Sequence, residues 1–242
     1  MHAVLRSLWP APDDRHGPLV PIMIVLTVVT GVVDATSYLK LGHVFVANMT
    51  GNVVFLGFAL AGARGLSASS SLIALGSFLL GASAGGRLRA RHPNHRGHML
   101  RAASIAQAVL LAIALIVALA LAKPLSTPAS YALLVPMAVA MGIQNAAAQS
   151  LAVPELTTTV LTRTLTGIAS DLALLGRDHE TAAMFARRVV AVVAMLLGAL
   201  VGGLLALHVT VAAALALAAA LALAVGVVVH FLSHADAPWV KT

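Results

Sequence analysis

Apolar residues in this chain neither alternate nor keep to one helical stripe. They run on for about twenty residues at a time, the length needed to cross a bilayer core as a helix. Six such runs stand out, at roughly 19–38, 69–86, 102–122, 130–150, 189–208 and 210–232. Two further segments, roughly 43–63 and 157–175, are of marginal spanning length, and each carries a Thr-Gly pair, Thr50-Gly51 and Thr166-Gly167. Barrel strands would read as short alternating runs, and none is present. The pattern predicts an all-α integral membrane protein.

The chain also repeats itself. "LLGASAGG" at 79–86 returns as "LLGALVGG" at 196–203, and "NMTG" at 48–51 returns as "TLTG" at 164–167. "GVVDATSYL" from Gly31 has a weaker echo in "GIQNAAAQSL" from Gly142. Three echoes in the same order imply two related halves. The expected organisation is a tail at 1–18, a first membrane repeat at 19–122, a second at 130–232 and a tail at 233–242.

Composition supports the membrane reading: 60% of residues are hydrophobic and 10% charged, too few charges to cover a soluble surface. There is no cysteine, which excludes disulfides and thiolate chemistry. The formal charge of +7 reads as topology rather than nucleic-acid binding. If both Thr-Gly segments enter and leave on one face, 11 Arg and Lys lie on the cytoplasmic side and 3 outside. If both span, the count becomes 6 against 8. The positive-inside rule therefore favours six spans and two re-entrant segments, with both termini cytoplasmic in a cell (inner) membrane. Three spans per half would make the halves an inverted repeat, an arrangement common in transporters.

The stretch "VFVANMTGNVVFLGFAL" (44–60) gathers Asn48, Thr50 and Asn52 around Gly51. Such polarity is costly in lipid unless the backbone there is non-helical and lies in protein or faces water. The expectation is a half-helix that ends at Thr50-Gly51 and turns back, and a second one at Thr166-Gly167.

At these residues the chain resembles the YoaK-like membrane proteins, domain of unknown function 1275, from about residue 20 to 232. The motifs are Gly31 with Asp34, the triplet Thr50-Gly51-Asn52, and Gly142 with Gln144 and Asn145; Ile168 stands where a second Thr-Gly-Asn would place its Asn. The resemblance implies a multi-pass membrane protein and carries no established activity.

Asp34, Asp171 and Arg163 are charges within apolar segments, where each costs about 2.5–3.5 kcal/mol at the bilayer centre. They read as substrate or proton groups, or as structural ion pairs; Arg163 is the expected partner of Asp34. Thr166, Gly167, Gln144 and Asn145 complete the candidate polar site, with hydrogen bonding between helices as the structural alternative. Gly81, Gly85, Gly198 and Gly202 have the spacing of close helix packing, so the G-x-S-x-G match around Ser83 is read as packing, not as a hydrolase elbow. His92, His95 and His98 lie in a basic loop with no carboxylate, so no metal and no cofactor is expected. The leading function is a small secondary transporter or channel-like permease with a midplane polar site; the alternative is a non-transporting scaffold or assembly protein. No enzyme is expected. Its partners would be the lipid bilayer and an unidentified small solute or ion, with a homo-oligomer left open and nucleic acid excluded.

Overall fold

The computed structural model describes residues 16–121, 126–153, 161–172, 179–233 and 238–240; most of both expected tails lies outside them. The described residues hold eight α-helices and no strand: α1 (Leu19–Lys40), α2 (Met49–Leu60), α3 (Ala68–Arg91), α4 (Arg96–Ala120), α5 (Thr127–Leu151), α6 (Leu161–Leu172), α7 (His179–Leu204) and α8 (Val211–Leu232). Six of these, α1, α3, α4, α5, α7 and α8, are long and apolar enough to cross a membrane. The other two, α2 and α6, have 12 residues each. At about 1.5 Å per residue α2 reaches about 18 Å, short of a core of about 30 Å; α6 is bounded on both sides by residues outside the described ones.

Helix starts follow local chemistry. Ser67 and Ser126 cap α3 and α5 by accepting the Ser70 and Ala129 N–H groups. A π-helical turn, Leu205–Val209, extends α7, after which Thr210 accepts the Ala213 N–H at 3.0 Å to start α8.

Burial separates the spans into two classes. About 70% of the apolar stretches of α1 and α5 is enclosed (72% and 67%), against 33% for α3, α4 and α7. Helices α1 and α5 are therefore the centre, and the others surround them with apolar faces outward. Leu79, Leu80, Ile116, Leu119 and Leu196 are all more than 60% exposed, as lipid-facing side chains would be.

Small residues set which helices meet. A Cβ on Gly31 of α1 would sit 2.5 Å from Met195 O and 2.6 Å from Ala199 N of α7. One on Gly142 of α5 would run into Phe78 O and lie 2.7 Å from Ala82 N of α3. Gly198 abuts Val28 and Gly202 abuts Val32; likewise Gly81 abuts Val139 and Gly85 abuts Ile143 and Ala146. Residues of α1 and α5 correspond at a separation of 111, from 31 to 142, 28 to 139 and 32 to 143; those of α3 and α7 correspond at 117, from 81 to 198 and 85 to 202. The α1–α7 and α3–α5 seams thus use the same contacts. Close backbone approach of this kind replaces the hydrophobic drive that is absent between helices in lipid.

Candidate functional site

Beyond Leu41 the chain turns back on itself. Gly42 has φ +100° and His43 φ 56°, left-handed geometry that glycine adopts freely. The non-helical limb that follows returns alongside α1. Asp34 Oδ1 there accepts the Val46 N–H at 2.9 Å and the Ala47 N–H at 2.8 Å. Asn52 accepts the Phe45 N–H at 2.9 Å and donates to Phe45 O at 2.6 Å. These side chains supply the bonds a helix would have made, because backbone groups in an apolar setting need partners. Of the three polar residues gathered around Gly51, Asn52 makes this brace together with Asp34.

The direction of the segment corrects the expectation from sequence. No half-helix ends at Thr50-Gly51. The non-helical limb comes first, and α2 begins at Met49 with Thr50 and Gly51 in its opening turn. Gly51 does not make the turn. Its missing side chain admits the Phe45 ring, whose Cδ2 would lie 2.8 Å from a Cβ. Phe45 stacks in turn on Tyr38 and Phe55, with centroids 5.1 and 5.8 Å away.

Beside this brace lies a cavity of about 380 Å³. Its polar wall is Thr30, Asp34, Asn48, Thr50 and Thr162; Gly51, Val54, Phe55, Leu161 and Met195 complete it. Both halves contribute, since Leu161 and Thr162 open α6. Asp34 is 3% exposed, and its Oδ2 has no hydrogen-bond partner among the described residues.

The second half is built differently. Thr166-Gly167 lies inside α6 and makes no break. A Cβ on Gly167 would collide with the Arg188 guanidinium, which crosses there to reach Asp171 at 2.6 Å. Asp171 therefore pairs with Arg188. Arg163 is exposed and forms no ion pair with Asp34, whose bonded oxygen is taken by amides. Thr166 is exposed and donates to Thr162 O at 3.0 Å; Thr162, one turn earlier, is the residue at the cavity. Residues 157–160 and 173–175 of the second ambiguous segment lie outside the described residues.

Gln144 stands behind the cavity rather than in its wall. It accepts from Gln107 at 2.5 Å and donates to Thr30 Oγ1 at 2.9 Å, which ties α4, α5 and α1 together. Asn145 donates to Met141 O of its own helix at 3.1 Å. Sequence reasoning missed Gln107, Arg188, Thr162, Phe55 and Met195. Gln107 and Arg188 were visible as polar residues in or beside apolar runs, but nothing in the sequence paired them with distant partners.

Ser83 lies in helix α3 and donates to Leu79 O at 2.9 Å, with no strand before it as a hydrolase elbow requires. The rings of His95 and His98 stack at 3.4 Å, and His95 Nδ1 accepts the His98 N–H. Burial lowers the His95 pKa below the ordinary imidazole value. Among the described residues no group of three His, Cys, Asp or Glu side chains is placed to hold a metal.

Six helices long and apolar enough to cross a membrane, with no strand among the described residues, define a multi-pass membrane protein. The family described as "Protein of unknown function (DUF1275)" matches residues 22–228, and the chain belongs to it. The chain is 31% identical over 154 residues to the UPF0700 transmembrane protein YoaK of Bacillus subtilis, a match covering 63% of this chain and 66% of that protein. The chain thus spans just under two thirds of the relative's length. No solved structure matches it significantly.

Proposed function

We propose that this protein is a small secondary transporter or permease, and that the cavity beside Asp34 is its solute site. One observation carries the reading: the cavity of about 380 Å³ is lined by both halves and walled by a buried carboxylate with one unpartnered oxygen. A site of this size falls in the range of small-molecule pockets. A pure scaffold has no need of such a space, whereas transporters place their sites at repeat interfaces beside interrupted backbone. Under this reading the protein is not an enzyme.

The proposal includes an inverted repeat. Equivalent seams at separations of 111 and 117 support it, as does the count of three long helices on each side of residues 122–126. Both short segments would be re-entrant, and both termini would lie in the cytoplasm of an inner membrane. Single cysteines at Ser67, Asn94, Ser126 and Asp178 test this in intact cells with an impermeant thiol reagent. The Ser67 and Ser126 positions should react from outside; reaction at Asp178 from outside would overturn the second re-entrant segment, and reaction at Ser126 from the cytoplasmic side alone would mean parallel halves.

Transport itself is tested in proteoliposomes by stopped-flow light scattering against a panel of small polar solutes. At least one should cross faster than in protein-free vesicles, and Asp34→Asn should slow it. Permeation equal to that of empty vesicles for every solute, from correctly folded protein, would favour the scaffold.

A further inference from the structure

We infer that the Asp34 cavity takes a small organic ammonium ion, a protonated amine with a short apolar body; the inference rests on the transport reading and names its ligand. The first argument is charge. Asp34 is the only charged residue among the described residues of the wall. Two backbone amides occupy its Oδ1, and Oδ2 is enclosed without a partner. A buried carboxylate lacking full compensation is costly, and a cation in the adjoining cavity relieves that cost. An anion at the same place would meet like charge.

The second argument is size and lining. Water occupies about 30 Å³ in the liquid, so the cavity of about 380 Å³ far exceeds a bare metal ion. A hard inorganic cation also wants a closed shell of six or more oxygens. Here Thr30 Oγ1 is already engaged, donating to Leu26 O at 3.0 Å and accepting from Gln144 at 2.9 Å. The rest of the wall includes Val54, Phe55, Leu161 and Met195, which suit carbon rather than a metal.

The third argument is the ring. Phe55 is in the wall and is held from behind by Phe45 and Tyr38, with centroids 5.8 and 6.0 Å away. A carboxylate and an aromatic face around one space form a recognition set for ammonium groups. Asn48 and Thr50 add oxygens that accept further N–H bonds.

The test is thermal unfolding of the purified full-length chain with n-butylammonium chloride, n-butanol, sodium butyrate and sodium chloride at matched ionic strength. Butylammonium alone should raise Tm by a few degrees in a saturable way, since a ligand of the folded state stabilises it by mass action. Asp34→Asn should abolish the shift while keeping the fold, because an Asn Oδ1 can still accept from Val46 and Ala47. Should that variant not fold, Phe55→Leu must weaken apparent affinity by about threefold or more, as loss of a cation–π contact does. An equal shift with butanol would show a neutral-solute site, a saturable shift with sodium chloride an inorganic-cation site, and a shift with butyrate an anion site; each overturns the inference, as does no shift with butylammonium. Solute flux in vesicles without an amine response would sink only the ligand class, whereas absence of both sinks the transport reading too.

Discussion

The two Thr-Gly segments look alike in sequence and are built by different means. In the first, Asp34 and Asn52 brace a non-helical limb through four hydrogen bonds to backbone, and α2 follows. In the second, an Arg188–Asp171 ion pair straps α6 to α7. Gly51 makes room for the Phe45 ring, and Gly167 makes room for the Arg188 guanidinium. Neither glycine bends the chain. A glycine between polar residues in a membrane segment can thus mark a place where a large side chain must pass, and the partner, not the glycine, differs between the halves.

The seams around these segments behave in the opposite way, since their contacts recur. Gly31→Leu and Gly142→Leu should be the most damaging changes, each costing about 3 kcal/mol or more because backbone stands where the new side chain would go. Their effects on folded yield and thermal stability should match. A silent change at one and a lethal change at the other would break the equivalence of the seams.

Asn52→Leu should come next. It leaves the Phe45 N–H and C=O without partners beside a side chain that is itself fully buried, at about 1–3 kcal/mol for each group. Thermal stability in detergent reads this loss, and an unchanged Tm would show that the non-helical limb does not depend on its brace.

Arg188→Leu should cost about 1–3 kcal/mol, less than a fully buried pair, because both side chains keep some exposure, 14% and 10%. Together with Asp171→Asn the loss should be smaller than the sum of the two single changes. Strict additivity in the double-mutant cycle would mean that the strap contributes nothing. Arg163→Ala should fall within about 0.5 kcal/mol, as expected of an exposed residue without an ion pair to Asp34. A large loss there would reopen a role for Arg163 in the site.

Hydropathy made the six long helices legible, because a span is defined by length and apolar content, both of which are local. The expected runs at 19–38 and 130–150 became Leu19–Lys40 and Thr127–Leu151. The candidates Asp34, Asn48, Thr50 and Gly51 were also legible as polar or flexible residues in costly surroundings, and all four border the cavity. The order of limbs in the first hairpin was not, because apolar content around Thr50-Gly51 is the same whether the helix precedes or follows the turn. Pairing was hidden for a related reason. Asp34 could be seen to need compensation, but amides of residues 46 and 47 provide part of it, at Oδ1, and every sequence has amides. Arg163 looked like a partner for Asp34 by charge and by the packing of two related halves around a pseudo-twofold axis, and Thr162 carried no signal because a threonine near a helix start is ordinary.

The central claim is that the two halves meet at a solute-accessible cavity beside Asp34. The natural chain has no cysteine, so single cysteines at Thr50 and Thr162 report on that space without background. Sided vesicles are treated with a small impermeant thiol reagent, and reaction is read by mass. Both positions should react from the same side of the membrane, and Asp34→Asn should leave that access intact because the carboxyl lines the space without closing it. Failure of both to react from either side, in protein that is folded and inserted, would contradict the cavity and with it the transport reading.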